Sequence, residues 1–263
     1  MIGQDVQRIR SQAPLIHNIT NYVVMNTTAN ALLAIGASPV MAHAIEEVEE
    51  MAGHAQALVI NIGTLSASWI EAMIKAGKAA SRLKIPVVFD PVGSGATQFR
   101  KACAQKIIQE IHPTIIRGNA SEIKSLLRSG RDAKGVDSRH TPDEVFDVAC
   151  ELSQGAGCVV SVSGPVDLIV EGDRVVRVHN GHAMMSKVTG MGCTASAITG
   201  AFAAVNPAPF LAAAHAMALM GIAGEMAAER SLGPGSFQLN FLDTLYGIQS
   251  SDIKTRLKMQ GQG

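Results

Sequence analysis

Aromatic side chains are scarce in this sequence. They make up 4% of 263 residues, with two tyrosines and one tryptophan. A surface that stacks bases needs such rings, so their scarcity argues against one. Neither sign of charge dominates: 22 Lys and Arg balance 22 Asp and Glu, and no basic tract appears. A role on nucleic acid or on an anionic membrane therefore has no electrostatic support. Cysteines are few as well. None of Cys103, Cys150, Cys158 and Cys193 forms a Cys-x-x-Cys pair, which excludes the common zinc and thioredoxin spacings. So few thiols in a long chain point to the reduced state of a cytoplasm, not to a disulfide framework. Residues 1–10 lack the apolar core of a signal peptide, and none is expected. No uninterrupted apolar run reaches the roughly 20 residues that span a bilayer. The Ala-rich stretch 209–228 comes nearest, but His215, Glu225 and its four-residue spacing predict a packed helix of a soluble protein.

What the chain does have is apolar residues, 47% of the total. That is enough for a large core, and one domain over 1–263 is the economical expectation. Near-continuous apolar runs at 14–19, 38–41, 57–62, 85–90, 114–117 and 158–162 read as strands. Helical patterns alternate with them at 3–12, 22–34, 46–52, 66–83, 99–111, 119–127 and 142–153. Thr20-Asn21 is placed to cap the second helix. The polar, Gly-containing stretch 129–141 reads as a loop. Apolar strands alternating with helices predict an α/β fold around a parallel sheet buried on both faces. Runs at 167–170 and 174–178 flank Gly172-Asp173 and read as a hairpin. After residue 190 only helices are expected.

The stretch Lys187-Val188-Thr189-Gly190-Met191-Gly192-Cys193-Thr194 is where a loop should become a helix. Such a junction offers free N–H groups and the positive end of the helix dipole, a natural anion hole formed by Gly190, Met191, Gly192 and Cys193. Cys193 near a helix start should carry a lowered pKa. Equally, a cysteine is a small buried hydrophobe. Ligands of parallel sheets bind beyond the carboxyl ends of the strands. Asn61, Gly63, Asp90, Arg117, Asn119, Glu122 and Ser163 all fall at such ends. Asp90 and Glu122 are oxygen donors that suit a hard cation, or else a turn cap and a helix-start acid. Arg117 has a planar fork for phosphate, or an ordinary ion pair. His17, His43 and His54 are scattered and read as packing or surface residues. A dinucleotide fingerprint does not fit: Gly-x-Gly comes late, Ala195 stands where the third glycine belongs, and no strand ending in an acid follows.

Several runs together resemble the hydroxyethylthiazole kinase family, a branch of the ribokinase-like superfamily, over almost the whole chain. They are His-Asn-Ile-Thr-Asn-Tyr-Val at 17–23, Ala-Asn-Ala-Leu-Leu-Ala-Ile-Gly-Ala-Ser-Pro-Val-Met at 29–41, Asn-Ile-Gly-Thr-Leu at 61–65, Asp-Pro-Val-Gly at 90–93, Ile-Arg-Gly-Asn-Ala-Ser-Glu-Ile at 116–123, Lys-Gly-Val-Asp at 134–137 and Gly-Pro-Gly-Ser-Phe at 233–237. The resemblance implies a three-layer α/β/α fold with a mostly parallel central sheet. It implies ATP-dependent phosphorylation of the alcohol of 4-methyl-5-(2-hydroxyethyl)thiazole, in thiamine salvage. By family motif, Arg117 and Ser163 contact ATP, Asp90 and Glu122 organise Mg2+, and Asn21, Met41 and Gly190 line the thiazole pocket. A homotrimer sharing that pocket between subunits is also implied. Most ribokinase-like enzymes carry an aspartate base after the Gly-x-Gly. Here, as in thiazole kinases, the position is cysteine, so Cys193 is the expected base or proton relay. Met191 departs from the small residue usual there. A pyrimidine or pyridoxal kinase lacks the Asn21 and Met41 context, and a non-catalytic binder need not keep Asp90 and Glu122.

Overall fold

The apolar runs pair as their alternation with helices requires. In the computed structural model, which describes residues 1–127 and 142–262, six strands lie parallel: β1 (Leu15–Ile19), β2 (Ser38–Val40), β3 (Ala57–Asn61), β4 (Val87–Asp90), β5 (Ile115–Asn119) and β6 (Val159–Ser163). Their spatial order is β2-β1-β3-β4-β5-β6. The expected hairpin, β7 (Asp167–Glu171) and β8 (Arg174–Val178), extends the sheet antiparallel, with Gly172 at φ +59° in its turn. The expected loop 129–141, with the run at 134–137, lies outside the described residues.

Period two along each strand sends alternate side chains to opposite faces. Val59, Val88, Ile115 and Val159 join one core with α1 (Ile2–Gln12), α2 (Met25–Ile35), α8 (Met191–Val205), α9 (Pro209–Ala228), α10 (Pro234–Gly247) and α11 (Ser250–Arg256). Leu58, Ile60, Val87, Phe89, Ile116 and Val160 join another with α3 (Val48–His54), α4 (Ala67–Arg82), α5 (Gln98–Ile111), α6 (Ala120–Leu126) and α7 (Pro142–Ala156). The result is three layers, helices on both faces of one sheet. The chain steps outward from β1 to β2, then returns past β1 to β3. Right-handed crossovers therefore place α2 and α3 on opposite faces and open a crevice beyond the ends of β1 and β3.

Two expectations fail locally. Helix α2 starts at Met25 behind Val24, with no side-chain cap. Thr20 and Asn21 stay in the preceding loop, where the Asn21 amide is used by other partners described below. The tail is not wholly helical either. After α11, β9 (Met259–Gln262) pairs antiparallel with β8 and completes the nine-stranded sheet. Its polar, Gly-containing sequence has no apolar run, because an edge strand needs only one paired side. Helix α9 is long and apolar enough by length and composition to cross a membrane, but it is mostly buried inside the protein. His215 on α9 meets Asp5 of α1 at 2.7 Å, which ties the two helices together.

Candidate active site

The start of α8 is a glycine junction for a steric reason. Gly190, its N-cap, has φ +85°, a conformation that costs other residues about 1–2 kcal/mol. A Cβ there would also sit 2.7 Å from Val24 Cγ1. Beyond it, the first amides of the helix have no intrahelical carbonyl to meet. Thr194 is the first to bond back, donating to the Gly190 carbonyl at 2.8 Å. The amides of Met191, Gly192 and Cys193 thus form a row of helix-start donors.

A chain of polar side chains runs beneath this junction, from the end of one strand to the next. Asn21, after β1, donates to Asn61 Oδ1 at 2.9 Å and to Cys193 Sγ at 3.4 Å. Asn61, ending β3, donates to Asp90 Oδ2 at 2.8 Å. Ser196, one turn into α8, donates to the same Asp90 oxygen at 2.7 Å. A Cβ on Gly63 would fall 2.6 Å from Asn21 Nδ2, so glycine at that strand exit is what lets Asn21 close on Asn61. Asp90 is fully buried, and burial pushes its carboxyl up to about 6, with the Arg117 charge working in the other direction. The Cys193 thiol is pushed up to about 11, first by burial and then by the Asp90 carboxylate. This corrects the expected lowering. A helix dipole at the surface is worth about 0.3–1 kcal/mol, and loss of water around the thiolate outweighs it. At neutral pH Cys193 is a protonated thiol.

Arg117 reaches the junction from β5. It is buried, and its Nη1 donates to the Gly192 carbonyl at 2.9 Å. It lines a cavity of about 740 Å³ with Ser163, Asp167, Gly190, Met191 and Gly192, and its far wall is formed by α9 and the turn before α8. Glu122 stands apart from that cavity. Its two oxygens accept from the Gly93 and Asn119 amides at 2.9 and 2.8 Å, which closes a capping box at the start of α6 and pins the loop leaving Asp90. Met41 follows β2 and is half-buried. Two residues on, His43 packs on Trp69 with ring centroids 4.6 Å apart, and Tyr22 packs on the same ring at 4.6 Å. That brings the loops after β1 and β2 together.

The expected residues therefore fall into groups. Asn21, Asp90 and Cys193 share one hydrogen-bonded chain. Arg117, Ser163, Gly190, Met191 and Gly192 share the cavity. Glu122 is linked to Asp90 through the loop and raises its carboxyl further by repulsion. Met41, half-buried after β2, stands outside the cavity lining among the described residues. His17, expected at the surface or in packing, is buried with Nε2 2.7 Å from the Ala42 carbonyl, and burial lowers its pKa. Ser196 and Asp167 were not anticipated. The available signals were a lone serine facing back from an Ala-rich helix start, and an acid opening an otherwise apolar strand.

For a cation, the donor set is two carboxylates. No cluster of three or more His, Cys, Asp or Glu side chains exists among the described residues. Each Glu122 oxygen already accepts one backbone bond and keeps a second lone pair, and Asp90 Oδ2 takes two donors, which leaves Asp90 Oδ1 as the oxygen of that carboxylate with capacity to spare. Mg2+ keeps several waters and binds through one or two carboxylates and substrate phosphates, so these residues fit it through water.

Residues 6–251 match the model of the hydroxyethylthiazole kinase family. A hydroxyethylthiazole kinase from Syntrophus aciditrophicus (strain SB) is 57% identical over 97% of this chain and 94% of that relative. The solved structure of a hydroxyethylthiazole kinase from Pyrococcus horikoshii OT3 superposes with a TM-score of 0.93 at 43% identity, covering 100% of this chain and 99% of that one. A Staphylococcus aureus pyridoxal kinase solved with ADP shares the fold alone, with a TM-score of 0.60 at 14% identity over 81% of this chain and 87% of that one.

Proposed function

This chain belongs to the hydroxyethylthiazole kinase family, and from that premise we propose which of its residues hold each participant in the reaction. The fold is ribokinase-like, and the reaction is transfer of a phosphoryl group from ATP to the hydroxyl of 4-methyl-5-(2-hydroxyethyl)thiazole. We read 1–263 as one catalytic domain. The observation that carries the assignment is the junction itself: one helix start lines the Arg117 cavity with Gly190, Met191 and Gly192 and holds Cys193 against Asn21.

ATP takes the cavity, with Arg117 and Ser163 on its phosphates. The thiazole alcohol takes the opposite side, against Asn21, Met41, Gly190 and Cys193. The amides of Met191, Gly192 and Cys193 form the anion hole for the transferring group, where preorganised donors do most of the catalytic work of phosphoryl transfer. Asp90 and Glu122 would hold Mg2+ through water, and the ion would supply neutralisation of phosphate charge. The exposed Tyr22 and Val23 beside Asn21 support a homotrimer with this pocket at the subunit interface, since large apolar side chains at a site's rim ask for cover. The four free cysteines support a cytoplasmic location.

The assignment of substrate is tested by a coupled ADP-release assay run in parallel with the thiazole alcohol, pyridoxal and hydroxymethylpyrimidine. Release is expected with the first at a rate well above the other two. Background release with the thiazole alcohol, with nucleotide binding intact, contradicts it.

Cys193 acts as a weak relay. A thiol held protonated near neutrality accepts the alcohol's proton poorly, and a loose transition state asks little of a base. Cys193→Ser should therefore lose no more than about tenfold in kcat, and Cys193→Asp should match or exceed the parent, since a carboxylate is the better acceptor. Loss of all turnover in both, with folding and nucleotide binding unchanged, rules out the relay. For the metal, Glu122→Gln should raise the Mg2+ needed for half-maximal rate by about tenfold, the usual scale for groups that orient a metal site. An unchanged Mg2+ titration would leave Glu122 as a helix cap alone.

A further inference from the structure

Asp167 is a carboxylate that the proposed roles leave unused. It opens β7 and is buried, and its Oδ1 accepts from the Gly164 amide at 3.0 Å. Its neighbour on the same side of β7, Ile169, belongs to the core under α8 and α9, as does Ile115, the corresponding neighbour of Arg117 on β5. Asp167 and Arg117 therefore point to the same face of the sheet, and both line the cavity. Among the described lining residues, Arg117 is the one permanent cation and Asp167 the one carboxylate. The stretch of sheet between β5 and β7 contains two orphans. Arg117 Nε and Ser161 Oγ are buried without a partner, and the two residues are direct neighbours across the β5–β6 ladder. Buried donors with nothing to donate to are rare in native proteins and point to a ligand.

We propose that Asp167 is a further residue of the nucleotide site, one that takes up a proton from solvent when a nucleoside polyphosphate settles beside Arg117, so that nucleotide binding in this kinase is proton-linked. The proposal rests on the reading that the nucleotide occupies this cavity. Without ligand, the Arg117 charge is shared by two buried acids, Asp90 and Asp167, and it lowers the pKa of both. A polyphosphate claims that charge and brings several negative charges of its own into a buried setting. Like charges in such surroundings disfavour ionisation of a carboxyl. Burial already pushes Asp167 up to about 6, so the step to protonation near neutrality is small.

The other ionisable groups around it do not offer a competing explanation. On β8 the register partner of Asp167 is Val178, followed by the exposed His179. His182, at the cavity rim, is exposed, and its Nδ1 accepts from the Met184 amide at 3.2 Å. On α9, His215 is engaged by Asp5, while Glu225 holds Asn180, Gly181 and Lys258. Arg177 of β8 packs over Phe146 of α7, and Asp147 and Glu151 of α7 belong with it to the opposite face of the sheet. Strand β6 contributes only Ser161 and Ser163.

Calorimetric titration of the full chain with ADP at pH 7, in two buffers of low and high ionisation enthalpy, reads the protons exchanged per nucleotide. The titration of ADP's own phosphates is common to every variant and cancels between them. The parent is expected to take up about half a proton more than Asp167→Asn, and its ADP affinity should gain about threefold per pH unit on acidification relative to that variant. Equal proton counts in the two proteins, or equal pH dependence, overturn the proposal. The Asn side chain can still accept from the Gly164 amide, and a melting curve confirms the fold. Arg117→Gln separates the two readings. If it weakens ADP while the proton count of the parent equals that of Asp167→Asn, only the linkage fails. If ADP affinity is indifferent to both substitutions, the nucleotide lies elsewhere.

Discussion

Arg117→Gln is expected to lower kcat/KM for thiazole phosphorylation by two to three orders of magnitude, the scale seen when one preorganised charge or donor at a developing anion is removed. Glutamine keeps a donor for the Gly192 carbonyl, so the loop stays anchored and the loss is of charge. The same substitution has a stability signature whose sign follows from the buried acids. Asp90 and Asp167 have pKa values of about 6 in the folded chain, above the ordinary 3.8. An acid raised in this way binds more protons folded than unfolded. Its contribution is most favourable below pH 4 and declines as pH rises through 6. Arg117 restrains both shifts. Without it both rise further, and the declining window extends upward. The melting temperature of Arg117→Gln should therefore lie close to the parent at pH 5 and well below it at pH 8. A deficit of equal size at both pH values would show that Arg117 acts by packing alone.

The second large effect belongs to Gly190. Replacement by alanine puts a β-branchless but real side chain at φ +85°, 2.7 Å from Val24 Cγ1. Strain and clash together should remove about 2–3 kcal/mol, or roughly 5–10 °C in melting temperature for a chain of this size. The catalytic loss should be larger than the stability loss suggests. The Met191, Gly192 and Cys193 amides must be aimed to within a few tenths of an ångström, and a displacement near 1 Å costs about a hundredfold in rate. A paired Val24→Ala change relieves the clash but leaves the backbone strain. The double variant should regain part of the stability and remain impaired in kcat. Full recovery of kcat would mean that the backbone at the junction can shift without consequence, against the role given to its amides.

Much of the fold was readable because the signals were strong and local. Six apolar runs alternating with amphipathic helices specify a sheet covered on both faces, and Gly172-Asp173 marks its hairpin. The elements that the sequence does not announce are weak in the same local sense. Strand β9 is polar because it needs only its ladder to β8. Asn21 looked like a helix cap because its side chain is suited to one. In the fold that amide is drawn instead to Asn61 and Cys193, across 40 and 172 positions of sequence.

The site divides in the same way. The junction and the strand-end residues Asp90, Arg117 and Glu122 follow from the rule that parallel sheets bind ligands beyond their carboxyl ends. Burial does not. Proximity to a helix start suggested an acidic thiol at Cys193, whereas the surrounding protein removes water from it and reverses the direction. Ser196 and Asp167 acquire meaning only once α8 and β7 are laid against the sheet, because the Asp90 that one bonds and the Arg117 that the other faces across the cavity are distant in sequence.

The claim on which all of this depends is that transfer takes place at the start of α8. A crystal structure with ADP, Mg2+, fluoride-based phosphoryl mimic and the thiazole alcohol tests it most directly. The planar mimic is expected within hydrogen-bonding distance of the Met191, Gly192 and Cys193 amides, with the nucleotide on the Arg117 side and the alcohol oxygen on the Cys193 side. A mimic held away from those amides, or an alcohol lying on the same side as the nucleotide, would contradict it.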